Sequence, residues 1–132
     1  MYNYKIQVIK VVDGDTIDAH IDLGFDVSIK NRIRLSGIDA PESRTRNLTE
    51  KKYGLEAKEK LLELLTHESD ILTVQSHGLG KYGRVLGTLY VGDKNINETM
   101  ISEGYAIAYQ GDRKIETPEL LKMLDAVRSC LQ

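Results

Sequence analysis

Three short motifs along this chain carry a matched set of carboxylates and guanidiniums. Asp15 lies in Asp13-Gly14-Asp15-Thr16, Arg34 shortly precedes Ile38-Asp39-Ala40-Pro41-Glu42, and Arg84 ends Lys81-Tyr82-Gly83-Arg84. Carboxylate oxygens are ligands for hard cations, and the guanidinium fork matches the oxygens of a phosphate. Asp15, Arg34, Asp39, Glu42 and Arg84 therefore point together to chemistry at a phosphodiester. No His or Cys stands near the carboxylates, so the donors are oxygen alone, which selects calcium or magnesium over zinc.

Each motif also has a plainer reading. Asp-Gly by itself favours a turn. An EF-hand is excluded: counted from Asp13, the sixth position is Asp18 where glycine is needed, and the twelfth is Gly24 where glutamate is needed. Asp39 and Glu42 are harder to explain as solvated decoration, because Pro41 fixes its own φ and biases Ala40 to an extended conformation at the end of a strand. Arg44, Arg46, Arg113 and Arg128 read as ordinary surface or salt-bridging arginines. His20, His67 and His77 are scattered with no Ser or Cys partner, so no nucleophilic triad is supported. Gly78, Gly80 and Gly83 lack the Lys-Ser/Thr of a phosphate-binding loop and read as turn glycines.

Composition sets the frame for these residues. A chain of 132 residues fits one domain, 1–132, around one core. No run approaches the roughly 18 apolar residues of a membrane span. The N-terminus enters an alternating pattern at once, without a secretory signal, so a cytoplasmic protein is expected. Cys130, the one cysteine, can form no internal disulfide. The net charge of −2 argues against a broad basic nucleic-acid coat. Residues 30–60 nevertheless carry nine Lys or Arg against five Asp or Glu, leaving nine against fifteen elsewhere. The positive charge is local, as a site requires.

Periodicity supplies the elements that must position the set. Residues 4–12 read as a first strand, and Thr16 to Asp22 alternate with Ile17, Ala19 and Ile21 on one face. Val27, Ile29, Ile33, Leu35 and Ile38 predict a longer third strand. Glu50 to Thr66 places Ala57, Leu61, Leu64 and Leu65 on one face of a helix, with Thr49 as its N-cap. Ile71–Gln75 and Val85–Val91 read as two more strands around a glycine-rich loop, Ser76 to Gly83. Asn95 and Glu98 open a short helix over about 96–103 that Gly104 stops. Thr117-Pro118 begins a closing helix with Leu120, Leu124, Val127 and Leu131 as its stripe. Five strands interrupted by one helix fit a small Greek-key barrel of OB type, mainly β with three helices in all.

Taken in order, Asp-Gly-Asp-Thr, Arg34-Leu35-Ser36-Gly37-Ile38-Asp39-Ala40-Pro41-Glu42 and Lys-Tyr-Gly-Arg resemble the thermonuclease, or staphylococcal-nuclease-like, family. The resemblance runs from about Tyr4 to Tyr109. It includes Tyr53-Gly54-x-x-Ala57, Asn97-Glu98 and Gly104-Tyr105-Ala106. It implies an OB-type barrel with three helices. The segment after Tyr109 is short and the chain has no Trp, both departures from the family pattern.

The resemblance further implies that Asp15 and Asp39, with the main-chain carbonyl of Ala40, ligate a calcium ion, magnesium being the alternative. Arg34 and Arg84 would grip the scissile phosphate, and Glu42 would orient or deprotonate the attacking water. Lys81 and Tyr82 are implied phosphate contacts. Tyr109 is either a base-stacking tyrosine or a barrel-edge aromatic. The basic stretch of Arg44, Arg46, Lys51 and Lys52 is expected to attract the polynucleotide backbone.

The expected protein is a calcium-dependent endonuclease, a monomer with no membrane partner. Its substrates are DNA and RNA, single-stranded or frayed for preference, cut with low sequence specificity to leave 3′-phosphates. A noncatalytic nucleic-acid or protein binding module of the same fold is the alternative, and retention of all five charged positions speaks against it.

Overall fold

The computed structural model describes residues 2–66, 71–80, 83–109 and 115–131. Along the chain run β1 (Asn3–Asp13), β2 (Thr16–Gly24), β3 (Val27–Leu35), β4 (Ile38–Asp39), α1 (Leu48–Leu65), β5 (Leu72–Leu79), β6 (Val85–Val91), β7 (Lys94–Asn95), α2 (Ile96–Ser102), β8 (Ile107–Ala108) and α3 (Thr117–Cys130). β1, β2 and β3 form an antiparallel meander, β5 pairs antiparallel with β1, and β6 pairs antiparallel with β5. A parallel pairing of Ile33–Leu35 with Val85–Gly87 closes the sheet into a five-stranded barrel. Closure removes the exposed strand edges an open sheet would leave. Together with three helices this is the OB-type fold expected from the sequence.

Alternation fills the barrel. Ile17, Ala19, Ile33, Leu35, Val74 and Leu89 point inward and are fully buried, and α1 and α2 cap them with Ala57, Leu61, Ile96 and Met100. Among the described residues no helix is long and apolar enough to cross a membrane.

Several boundaries differ from the sequence expectation, each for a local reason. The third strand does not run through to Ile38. Gly37 adopts a left-handed φ of 79°, the chain turns, and Ile38 and Asp39 pair instead with Ala108 and Ile107. β5 extends past Gln75 to Leu79 because Ser76 and Leu79 still find partners on β6 across a register shift. α1 begins at Leu48, capped by Asn47 rather than Thr49. The Asn47 side chain accepts the N–H groups of Thr49 and Glu50, both at 3.1 Å. In α2 the expected Asn95 cap is present, accepting the Glu98 N–H at 3.1 Å.

Thr117 is the first residue of α3 rather than its cap. Its hydroxyl donates to Glu50 Oε2 at 2.9 Å, which joins α3 to the start of α1. The expected α3 stripe is also shifted, since Leu131 is 59% exposed while Leu121 is buried beside Leu120 and Leu124. These leucines form a second, smaller apolar cluster with Ile107, against Tyr53 and Ile115.

So small a cluster needs polar help, and Arg128 supplies it. Its guanidinium lies 4.7 Å from the Tyr105 ring centroid and 5.0 Å from that of Tyr53. It also donates to the Gly104 carbonyl at 2.9 Å and pairs with Glu56 at 3.3 Å. Tyr53 in turn donates to Asp125 at 2.6 Å, a bond that raises the phenol's pKa by favouring its protonated form. Arg128 is thus salt-bridging, as its sequence context suggests, and is also held between two rings. We expect Arg128→Ala to lower unfolding stability by about 2–4 kcal/mol through lost cation–π and hydrogen-bond contacts. Urea unfolding checks this, and a loss below about 0.5 kcal/mol would show that the leucine cluster alone docks α3.

Candidate active site

The register pairs Asp13 with Thr16, so Gly14 and Asp15 form the two-residue turn between β1 and β2. Gly14 is required by close approach: a Cβ there would stand 2.6 Å from the Ala57 Cβ and 3.1 Å from the Ala40 Cβ. The turn therefore lies directly on α1. Asp15 is 7% exposed and has both ends committed. Its Oδ1 accepts the Thr16 hydroxyl at 2.9 Å, its Oδ2 accepts the Ala40 N–H at 3.0 Å, and its carbonyl accepts the Leu35 N–H at 2.8 Å. These bonds tie the β1–β2 turn to both sides of the β3–β4 turn.

Arg34, next to the end of β3, faces the same point. Its Nη1 donates to the Leu35 carbonyl at 2.8 Å, and its Nη2 lies 3.4 Å from Asp15 Oδ2 and 3.6 Å from Asp39 Oδ1. Asp39, also buried, is fixed by the pairing of β4 with β8. Two buried carboxylates thus share one guanidinium nitrogen. Buried like charges need such a partner, because neither can be screened by water.

The parallel closure sets Arg34 opposite Leu86, which brings Arg84, just ahead of β6, to the same opening. A cavity of about 720 Å³ is lined by Asp15, Arg34, Asp39, Glu42, Arg84 and Tyr109, with Ala40 also on its wall. Glu42 is exposed at its rim, immediately after buried Pro41. The Tyr109 N–H donates to the Gly37 carbonyl at 2.8 Å, which fixes that residue's main chain beside the β3–β4 turn. Arg44, Arg46, Lys51 and Lys52 are exposed on the segment leading into α1 and on its first turns. Lys81 and Tyr82 lie outside the described residues.

The donor set fits a hard divalent cation. Asp15 and Asp39 turn carboxylate oxygens toward one positive group, and among the described residues that line the cavity there is no His, Cys or Met. Among the described residues no three His, Cys, Asp or Glu side chains converge at ligand distance. A cation here would take the rest of its shell from main-chain oxygen, water and substrate.

Two contributors have partners that the sequence does not reveal. Asn97 is 4% exposed at the start of α2; its Oδ1 accepts the Leu89 N–H at 3.1 Å, and its Nδ2 donates to the Ser36 and Gly87 carbonyls at 2.8 and 3.2 Å. It staples the β3–β4 turn, and with it the Arg34–Asp39 spacing, to β6. Asn97-Glu98 stands within the family resemblance, but the sequence does not say what the Asn97 amide holds. Ser43, 5% exposed, bonds to Asp13 across the mouth of the hairpin, and no local pattern announces a partner so far away in the chain.

A family model described as staphylococcal nuclease homologue matches residues 32–129. This chain belongs to that family. Protein ParB of Escherichia coli is 30% identical over 131 residues, covering 92% of this chain and 67% of that protein. A thermonuclease of Staphylococcus hyicus is 32% identical over 102 residues, covering 77% of this chain and 57% of its own length. The staphylococcal-like nuclease CAN1 of Arabidopsis thaliana is 40% identical over 80 residues, 61% of this chain but 22% of that protein. The chain thus spans less than two thirds of the length of this thermonuclease and of CAN1. Membership of the staphylococcal nuclease homologue family, with relatives so named, supports a nuclease activity.

Proposed function

We propose that this chain is a metal-dependent endonuclease that hydrolyses phosphodiester bonds of DNA and RNA with low sequence specificity and leaves 3′-phosphate ends. The carrying observation is the convergence of Asp15, Arg34, Asp39, Glu42 and Arg84 on one cavity. Asp15, Asp39 and the Ala40 carbonyl would hold the cation, calcium or, in its place, magnesium. When bound, that ion neutralises phosphate charge and lowers the pKa of water. Arg34 and Arg84 bind the non-bridging oxygens and stabilise the charge that grows as a fifth oxygen joins phosphorus. Glu42 accepts a hydrogen bond from the attacking water, holds it in line and takes its proton. The bond from phosphorus to the 5′ oxygen breaks and that oxygen takes up a proton from solvent, leaving a 3′-phosphate and a 5′-hydroxyl.

The chain acts as one unit and as a monomer. Tyr109 and the exposed basic residues ahead of α1 guide a single-stranded or frayed strand into the cavity, which is open to a flexible backbone more readily than to a stiff duplex. The sequence carries no groove-reading helix signature, which accords with low sequence preference. The test is incubation with single-stranded DNA, RNA and duplex DNA in calcium, magnesium or chelator, followed by analysis of product ends. Cleavage that needs a divalent ion and leaves 3′-phosphates is expected. Folded protein that cuts nothing under any ion overturns the enzyme reading in favour of a binding module, and 3′-hydroxyl products overturn the mechanism.

A further inference from the structure

We propose that the outer face of β3 carries the substrate beyond the scissile phosphate, as a track for a single-stranded polynucleotide that ends on the Phe25 ring; the proposal rests on the nuclease reading above. Ile33 and Leu35 point into the barrel, so Ser28, Lys30, Arg32 and Arg34 share the opposite face of the strand. The register sets them beside Asp22, His20, Asp18 and Thr16 of β2, and sets Gln7 and Lys10 of β1 beside His20 and Asp18. The end rung, Thr16 with Arg34, lines the cavity described above. At the other end of the same face lies a second cavity of about 710 Å³, lined by Lys5, Gln7, His20, Asp22, Phe25 and Ser28. Asp18, Lys30 and Arg32 lie between the two cavities and line neither.

The face that joins the cavities suits a phosphate backbone. Lys10, Lys30 and Arg32 are exposed on it, and Asp18 is the one carboxylate on their rungs. Arg32 meets that carboxylate with two nitrogens, at 2.9 and 3.3 Å, and this bond, with Lys10 and Lys30 nearby, holds the Asp18 carboxyl below its usual range. Lys10 and Lys30 remain to attract a strand. Successive rungs are about 6.7 Å apart along β3, which matches the step between phosphates of an extended single strand. From Arg34 to Ser28 is about 20 Å, or roughly three such steps.

The far end has different chemistry. Asp22 and Asp26 accompany Lys5 there, and Asp22 Oδ1 accepts the Gly24 N–H at 2.8 Å, so this end does not favour a phosphate. It offers a ring instead. Phe25 is 101% exposed and has a φ of 54°, followed by Asp26 at 60°. A bulky side chain at positive φ is disfavoured, and a ring so exposed regains nothing by burial. Backbone strain of this kind persists at ligand clamps, and an exposed aromatic face is a platform on which any base can stack. The occupant that fits both ends is therefore one continuous strand, with phosphates along Arg34, Arg32 and Lys30 and a base on Phe25.

On single-stranded DNA of about 12 nucleotides, Phe25→Ala is expected to raise KM by about 5- to 30-fold with kcat within about twofold, the loss of one stacked base. Phe25→Tyr, which keeps the ring, should stay within about twofold of the unaltered protein. Lys30→Gln should raise KM and flatten the dependence of log KM on log salt by about 0.7, one phosphate contact. On a trinucleotide, too short to reach from Arg34 to the turn, all three variants should match the unaltered protein. Both altered side chains are exposed, so neither substitution empties a packed site.

Phe25→Ala unchanged on the long strand overturns the proposal, and so does an equal loss on the trinucleotide or a loss confined to kcat. Phe25→Tyr as impaired as Phe25→Ala overturns it as well, since the ring is then not the cause. If the unaltered protein cuts nothing, it is the nuclease reading that fails. Fluorescence anisotropy of the labelled long strand in chelator then tests the track by itself: affinity lowered about 5- to 30-fold in Phe25→Ala supports it, and equal affinity, or no binding by the unaltered protein, overturns it.

Discussion

Arg34→Lys will lower turnover by about 100- to 1,000-fold, the range seen when one preorganised charge-stabilising donor is removed. Arg34 does three things at once that a lysine cannot. One nitrogen holds the Leu35 carbonyl, a second faces both Asp15 and Asp39, and the residue lines the cavity. An ammonium keeps the charge but cannot hold all of these geometries together. The comparison is kcat at saturating single-stranded DNA. Wild-type turnover in the lysine variant would remove Arg34 from the chemistry.

Arg34→Ala will also be costly to the fold, because it takes the shared guanidinium away from two buried carboxylates, Asp15 and Asp39. A loss of about 3–5 kcal/mol is expected from breaking such a site. A divalent ion should offset part of that loss by taking the guanidinium's place between the carboxylates. Melting curves with calcium and with chelator test both statements. An alanine variant that melts like the unaltered protein, with no response to calcium, would show that the two carboxylates do not depend on Arg34.

Asn97→Ala will lower stability by about 3–4 kcal/mol, because the Leu89 N–H and the Ser36 carbonyl lose their partner inside the protein. Asn97→Asp should be no better. It keeps the acceptor for Leu89 but turns a carboxylate toward two carbonyl oxygens, those of Ser36 and Gly87. Cleavage measured below the melting range should fall as well, since the turn that Asn97 holds joins Arg34 to Asp39. Urea unfolding gives the first quantity. A loss below about 1 kcal/mol would show that the Ser36–Gly87 main-chain bond and the β4–β8 pairing hold the turn unaided.

The barrel was legible from periodicity because half-buried strands must alternate: Ile17, Ala19 and Ile21 face inward as their spacing requires, and Ala57, Leu61, Leu64 and Leu65 form the inner face of α1. Boundaries were less legible, since they depend on single hydrogen bonds. The sequence points to Thr49 as the cap of α1, and only the direction of the Asn47 side chain, which accepts the Thr49 and Glu50 N–H groups, gives that place to Asn47. Thr117-Pro118 looks like a helix start for good reason, but Glu50 offered the threonine hydroxyl a better partner than its own helix. At the site, residue types were legible and partnerships were not. Nothing local says that Arg34 neutralises two carboxylates, that Asp13 holds Ser43, or that Asn97 holds Ser36. Each pairing depends on how the folded segments meet and not on local spacing.

Closure of the sheet has a temporal side. The parallel pairing of Ile33–Leu35 with Val85–Gly87 joins strands separated in the chain by all of α1 and β5. Pairings across so long a loop form late, because much chain entropy must be lost before any contact is gained. Arg34 and Arg84 face the same cavity only after this step. A chain emerging from the ribosome therefore exposes Asp15, Arg34, Asp39 and Glu42 well before it has a cavity to place them in. On the nuclease reading, the protein cannot cut the messenger from which it is being translated until β6 has left the ribosome and docked.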